Sequence, residues 1–246
     1  MSLPHLIAAR AARDDNSDNR DGYGAVALAE REAREAIALT YGMIAMVDDA
    51  IGQVRQKLSD LGLSDNTVQI FTSDHGDLLG DHGLMLKGPL HYQSLVRVPF
   101  VMADPLSPSQ GTVNSDLFSG VDIGVSLLDR AGISGPEATH GISIFGVASG
   151  ELRAREGLLI EDEYQSPVLC FDIAPTLRTF ITQRWRLTVF GQADWGELYD
   201  LENDPGEIVN LWFDEEYAAI KSTLLCSVVS EMMASTDRRV RPRSLA

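Results

Sequence analysis

Residues 25–62 constrain this chain more than any other stretch. Ala36, Leu39, Tyr41, Met43, Ile44, Val47, Ile51, Val54 and Leu58 recur at three- and four-residue steps, the spacing that gathers side chains on one face of an α-helix. Gly62 suits the C-cap, and Asp65-Asn66 turns the chain. Thr67–Thr72 follows as a β-branched and aromatic run, which reads as a buried strand. A long helix feeding a buried strand predicts an α/β architecture: a mainly parallel central sheet with flanking helices. Val96–Ala103 predicts a second strand, with Pro99 inside it favouring an edge or a bulge. Val113–Phe118 reads as a further short strand. Asp122 is placed to cap a helix that ends at Gly132, and residues 143–150 read as one short helix.

Upstream, residues 10–24 are polar and lack apolar periodicity, so they are expected as an exposed loop. After Gly150 the texture changes. Short runs at 158–160, 167–171, 176–182, 184–190 and 197–201 read as strands separated by turns, and Arg178–Thr182 alternates as a half-exposed antiparallel strand does. Residues 214–234 carry an amphipathic helical pattern through Tyr217, Ile220, Leu224, Val228 and Met232. Two domains are expected: 1–150, α/β, and 151–246, a small antiparallel sheet with a helix. Residues 235–246 are basic and expected to fray.

The formal net charge of -16 argues against nucleic acid, where Lys and Arg must neutralise phosphates, and against anionic membrane surfaces. No uninterrupted apolar run is long enough to span a bilayer, and the first ten residues lack the pattern of a secretory signal. Cys170 and Cys226 both sit in apolar context and read as buried, inert thiols. Neither has the spacing of a zinc site.

The chemistry concentrates at residues 73–92. Asp74 and His75 follow the strand directly, where open α/β sheets place their ligands. A carboxylate and an imidazole both suit a divalent cation. Gly76 permits a sharp turn or a close approach. Lys87, between Leu86 and Gly88-Pro89, can reach back as a point charge toward an oxyanion. Asp81 and His82 are candidates for a supporting shell around such an ion, or for solvated loop positions. An Asp after a strand also serves simply as a turn cap. His91 reads as packed, and His5 and His140 have no supporting context.

Several motifs in order give these residues a family context. Ser73-Asp74-His75-Gly76, Leu79-Gly80-Asp81-His82-Gly83, Lys87-Gly88-Pro89 and Arg97-Val98-Pro99-Phe100 resemble the sulfatase family of the alkaline-phosphatase superfamily. The helix through Tyr41–Gly52, the stretch Val121–Ile133, and Glu197–Glu207 with Asn210-Leu211 extend the resemblance over roughly residues 25–235.

The resemblance implies an incomplete alkaline-phosphatase-like fold. It implies Asp74 and His75 as metal ligands, with calcium expected and manganese, magnesium or zinc as alternatives. It makes Lys87 the residue that contacts sulfate oxygens on a small sulfate ester. The family's nucleophile is a Cys oxidised to formylglycine in a Cys-x-Pro-Ser-Arg-type motif, and neither Cys170 nor Cys226 stands in one. Paired acidic ligands after an N-terminal strand are not found either; Asp14-Asp15 lies in the polar segment. The chain is therefore expected to be the C-terminal part of a metal-dependent, arylsulfatase-like sulfuric ester hydrolase, truncated and inactive alone. Exposed sheet edges would then invite self-association. A phosphate or phosphonate ester hydrolase of the same superfamily, and a non-catalytic binding remnant, are the alternatives.

Overall fold

The computed structural model describes residues 3–14, 25–107, 111–135, 139–191 and 193–236. The chain divides into two compact units, Met1–Thr112 with Tyr164–Ala174, and Val113–Glu163 with Pro175–Ala246. This division does not coincide with the boundary expected at residue 151. The segment 113–150 groups with the C-terminal strands because Asp122 pairs with Arg155 and Leu117 bridges to Arg155.

The first unit contains α1 (Pro4–Asp14), β1 (Val26–Ala27), α2 (Glu30–Asp60), β2 (Gln69–Thr72), β3 (Leu84–Met85), α3 (Gln93–Val96) and β4 (Phe100–Ala103). Residues 10–14, expected as loop, are helical: α1 buries His5 and Ala9, one turn apart on one face. Residues 15–24 lie outside the described residues, as do 237–246.

α2 follows the sequence pattern closely. The Glu32 carboxylate accepts the Ala29 N–H at 2.9 Å, and Glu30 and Glu32 in the first turn complement the helix dipole. Arg31–Glu35 and Arg34–Glu30 add exposed ion pairs at four-residue spacing. At the other end, Gly62 adopts φ 66° while Leu63 N–H reaches back to Leu58 O at 2.9 Å. That is a Schellman stop, which glycine adopts without a Cβ penalty.

What the pattern did not anticipate is the setting of α2. None of its residues is buried, and Leu39 and Met46 are 71% and 74% exposed. By length and composition alone this helix could cross a membrane. Asp48 and Asp49 stand at the middle of its apolar stretch, though, and each carboxylate there costs about 2.5–3.5 kcal/mol in a bilayer. An amphipathic helix with an apolar face is the better physical description.

The sheet expectation needs the largest correction. β2 pairs antiparallel with β4 and β1 pairs antiparallel with β3, so every ladder in this unit is antiparallel among the described residues. The inference of a parallel sheet assumed that α2 connects two strands of one sheet. It connects β1 to β2 instead, and these belong to different ladders. β2 is also less buried than expected, with Phe71 40% exposed. The strand expected from Val96 begins only at Phe100. Pro99 cannot donate to a ladder, and it restricts the residue before it, so Gln93–Val96 closes as a helical turn instead. The strand expected at 167–171 is reduced to one bridge, Val168 to Phe171.

The second unit contains α4 (Gly120–Arg130), α5 (Ile144–Ala148), β5 (Leu158–Glu163), β6 (Thr176–Ile181), β7 (Trp185–Phe190), β8 (Gly196–Asp200) and α6 (Ala218–Ala234). The four strands form one antiparallel sheet in the order β5-β6-β7-β8; short turns join β6 to β7 and β7 to β8, while residues 164–175 connect β5 to β6. Phe180, Leu187 and Leu198 from the sheet pack with Leu224 and Val228 of α6 in one buried cluster. A Cβ at Gly157 would lie 2.2 Å from the Phe180 ring, and one at Gly196 2.5 Å from Trp212. Both positions therefore exclude a side chain.

Val113–Phe118, expected as a strand, makes only the Leu117–Arg155 bridge. Ser119, not Asp122, occupies the N-cap of α4. Asp122 is fully buried and accepts from Ser119 N–H (2.8 Å), Ile142 N–H (2.8 Å) and Arg155 Nη1 (2.5 Å). Its carboxylate fastens two loops to the start of the helix.

Both cysteines are free, Cys170 half-buried and Cys226 exposed, so the expectation of buried thiols fails for Cys226. That residue falls on the solvent side of α6. Burial raises the Cys170 thiol above its ordinary pKa, which favours the neutral thiol over the thiolate.

Candidate active site

β2 ends at Thr72, and the next three residues fold tightly on themselves. The Ser73 hydroxyl donates to His75 O at 2.8 Å, and the His75 N–H donates to Asp74 Oδ1 at 2.9 Å. This bond holds the Asp74 carboxyl below its ordinary range, with the Ser73 hydroxyl adding to it. Asp74 therefore presents as a carboxylate, with its side chain 85% exposed.

Gly76 is the hinge of the turn. Its N–H donates to Leu95 O at 2.8 Å, and a Cβ here would stand 1.9 Å from Ser94 O. Only glycine lets the loop lie this close to α3.

His75 is fixed in one tautomer by its two partners. Gly76 O can only accept, so Nδ1 at 2.7 Å must carry the proton. The Lys87 ammonium can only donate, so Nε2, at 2.7 Å from Nζ, must offer its lone pair. That lone pair lies 3.6 Å from Asp74 Oδ2. A neutral imidazole whose other nitrogen is tied to a carbonyl is the form in which histidine binds metals.

The three residues expected at the core of the site, Asp74, His75 and Lys87, are thus brought together. Asp81 and His82 are placed in other roles. Asp81 is exposed at the start of a short 3₁₀ turn, and His82 adopts φ 55° with its ring stacked on Tyr92 at 3.8 Å between centroids. Tyr92 OH in turn meets the buried His5 Nε2 at 3.0 Å. His91 is packed, as expected, at 6% exposure, and His140 is exposed.

Sequence reasoning missed Ser73 and Asp77. Asp77 Oδ1 accepts the N–H groups of both Leu79 (2.8 Å) and Leu86 (3.0 Å). An Asp two residues before the turn at Leu79-Gly80 is the available signal.

The donor set suits a divalent cation in part. A hard carboxylate oxygen and His75 Nε2 stand 3.6 Å apart, and the imidazole lone pair becomes available to a cation when Lys87 gives up its hydrogen bond. No group of three or more His, Cys, Asp or Glu side chains is gathered to hold an ion among the described residues. The chain thus offers two ligands and a neighbouring ammonium, an arrangement able to hold a hydrated cation weakly and to meet a tetrahedral anion.

Comparison with known proteins gives this geometry its family. The Sulfatase family model matches residues 6–133, and the model of the C-terminal region of N-sulphoglucosamine sulphohydrolase matches residues 80–234. The chain belongs to the sulfatase family. It is 31% identical over 221 residues to an arylsulfatase of Clostridium perfringens, covering 87% of this chain and 44% of that protein. Among solved structures it is similar to BT4656 in complex with its substrate D-glucosamine-2-N,6-O-disulfate (27% identity, TM-score 0.72, 82% of this chain and 41% of that one). It is also similar to a phosphonate monoester hydrolase of Agrobacterium radiobacter (28% identity, TM-score 0.73, 81% and 42%). The chain therefore spans less than half the length of these relatives.

Proposed function

We propose that this chain supplies the Asp74, His75 and Lys87 side of a sulfuric ester hydrolase site. The observation that carries the reading is the 2.7 Å approach of Lys87 Nζ to His75 Nε2, within reach of the exposed Asp74 carboxylate. Asp74 and His75 would hold a divalent cation, whose Lewis acidity would polarise the non-bridging oxygens of a bound ester. Calcium is the proposed ion, with manganese, magnesium or zinc as alternatives.

Lys87 then acts on its flexible stem as a point charge for a sulfate oxygen, stabilising negative charge as the ester bond breaks. Gly76 O keeps the imidazole proton on Nδ1, so His75 does not compete with Lys87 as a donor. Asp81 and His82 enter the proposal only as support for the loop. The substrate is a small sulfate ester, the class named in the BT4656 complex. The core sheet is proposed as alkaline-phosphatase-like, its parallel part lying in the portion of the relatives that this chain does not span. A nucleophile would come from that same portion, because neither cysteine here lies near Asp74 in sequence or in a nucleophile motif.

The test is hydrolysis of an aryl sulfate by the 246-residue chain alone, and by the chain completed with the portion of a sulfatase relative it does not match. Turnover is expected only in the completed form, falling about 10²–10³-fold in kcat in Lys87→Ala. Turnover by the chain alone, lost in Asp74→Ala, would overturn the division of the site. Completed turnover indifferent to Lys87→Ala would overturn its role.

The likeness to a phosphonate monoester hydrolase supports a second reading, in which the same residues act on a phosphonate or phosphate ester. Matched sulfate and phosphonate esters of one phenol separate the two, by the ratio of their kcat/KM values.

A further inference from the structure

Resting on the reading of Lys87 and His75 as one site, we infer that Asp77 is the positioning residue that sets the Lys87 stem beside His75, in contact with the imidazole while no cation occupies it. Between these two residues the chain makes a tight excursion from Asp77 to Leu86. Three of its non-glycine residues, Leu79, His82 and Leu86, have φ of 44°, 55° and 68°, a left-handed conformation that side chains disfavour. Such a segment needs fixed points from outside its own backbone preference.

Two backbone bonds cross the excursion, Leu78 N–H to Leu86 O at 3.1 Å and Gly80 N–H to Leu84 O at 2.7 Å. The Asp77 carboxylate adds what these do not. One oxygen accepts both Leu79 N–H at the outgoing end and Leu86 N–H at the returning end. Asp77 lies two residues after His75, and Leu86 immediately precedes Lys87. The same oxygen therefore fixes the distance between the imidazole and the start of the lysine stem. It also holds Leu86 in its left-handed turn, which sets the direction in which Lys87 leaves the backbone. Charge assistance makes a carboxylate the stronger clamp, while an amide oxygen retains the same acceptor position.

The test reads the contact directly. Lys57, Lys87 and Lys221 are the only lysines of the chain, so the ε-methylene signal of Lys87 can be assigned and its nuclear Overhauser contact with the His75 ring measured in the full chain. The contact is expected in the native protein, retained in Asp77→Asn, and weakened several-fold in Asp77→Ala, with the ring contact of His5 and Tyr92 reporting that the first unit stays folded. A full-strength contact in Asp77→Ala would overturn the inference, as would its loss in Asp77→Asn. Should Asp77→Ala fail to fold, Asp77→Glu decides: its acceptor is displaced by one methylene, so a weakened contact supports the inference and an unchanged one overturns it. Absence of the contact in the native protein would instead strike the shared-site reading itself.

Discussion

The sheet β5–β8 with α6 and the segment from α2 through β4 bury their apolar residues very differently. In the first, Leu187 and Leu198 are fully buried and Phe180, Leu224 and Val228 nearly so. In the second, Leu39, Met43, Ile44, Met46, Val47 and Val54 of α2 are each at least half exposed, and Val101 of β4 is 61% exposed. One region gathers its core under a sheet; in the other α2 and β4 stay largely bare, while Leu78, Leu84, Leu90, Tyr92 and Leu95 around the site loop are buried. The contrast lies between α2, which is bare, and the two buried clusters, and the site residues stand at the solvent-facing edge of the smaller one. Their geometry depends on local devices: the Gly76 close approach, the Gly76 carbonyl on His75, and the Asp77 clamp.

The comparison breaks if the sheet proves tolerant. Arg186 is fully buried between Glu197, at 2.8 Å, and Glu207, with its guanidinium over the Tyr199 ring. Arg186→Ala leaves two buried carboxylates without their cation and is expected to cost about 3–5 kcal/mol. Trp185, Trp195 and Trp212 all lie in the second unit, so fluorescence-detected urea unfolding reports this loss. Leu198→Ala, which opens a cavity in the same sheet, is expected to cost about 2–5 kcal/mol by the same measurement.

Acid should affect this region through a defined pair. Arg184 holds Asp200 well below its ordinary pKa of 3.8, at about 2, with Asn203 assisting. A depressed carboxyl stabilises the fold above its unfolded pKa and loses that contribution as pH falls through its folded one. Stability of the second unit should therefore drop between about pH 4 and pH 2. An acid titration of Asp200→Asn should lack this component of the slope.

The smallest effects are expected on α2. Leu39→Ala and Met46→Ala should each change stability by no more than about 0.5 kcal/mol in the isolated chain, as exposed substitutions do, measured by circular dichroism during urea unfolding. A loss of 2 kcal/mol or more would show that this helix is covered in solution and would erase the contrast.

Much of this was legible in the sequence, and the failures have physical causes. The three- and four-residue periodicity identifies α2, and the Schellman stop at Gly62 follows from glycine alone. β6, β7 and β8 fall where the short runs put them, because closely spaced strands joined by turns pair with their neighbours. Periodicity reports which face is apolar, though, and is silent on what covers it. That is why β2 was expected to be buried and α2 to be part of a parallel repeat. Pro99 reads as disruptive in the sequence, but its consequence, a helical turn at 93–96 beside Gly76, depends on tertiary contacts with Ser94 and Leu95. At the site, the Asp74-His75 pair and Lys87 were visible as residue types and as a family resemblance. Asp77 does not stand out in the sequence, because its role lies in bonds to backbone groups two and nine residues further on, which leave little trace in composition.

The most direct test of the central claim is titration of manganese into the chain while observing the ring resonances of its five histidines. Paramagnetic broadening should reach His75 first, at lower manganese than any of the others, and should be lost in Asp74→Ala. Broadening of His75 that is unchanged in Asp74→Ala, or that appears first at another histidine, would contradict Asp74 and His75 as the paired ligands of one cation.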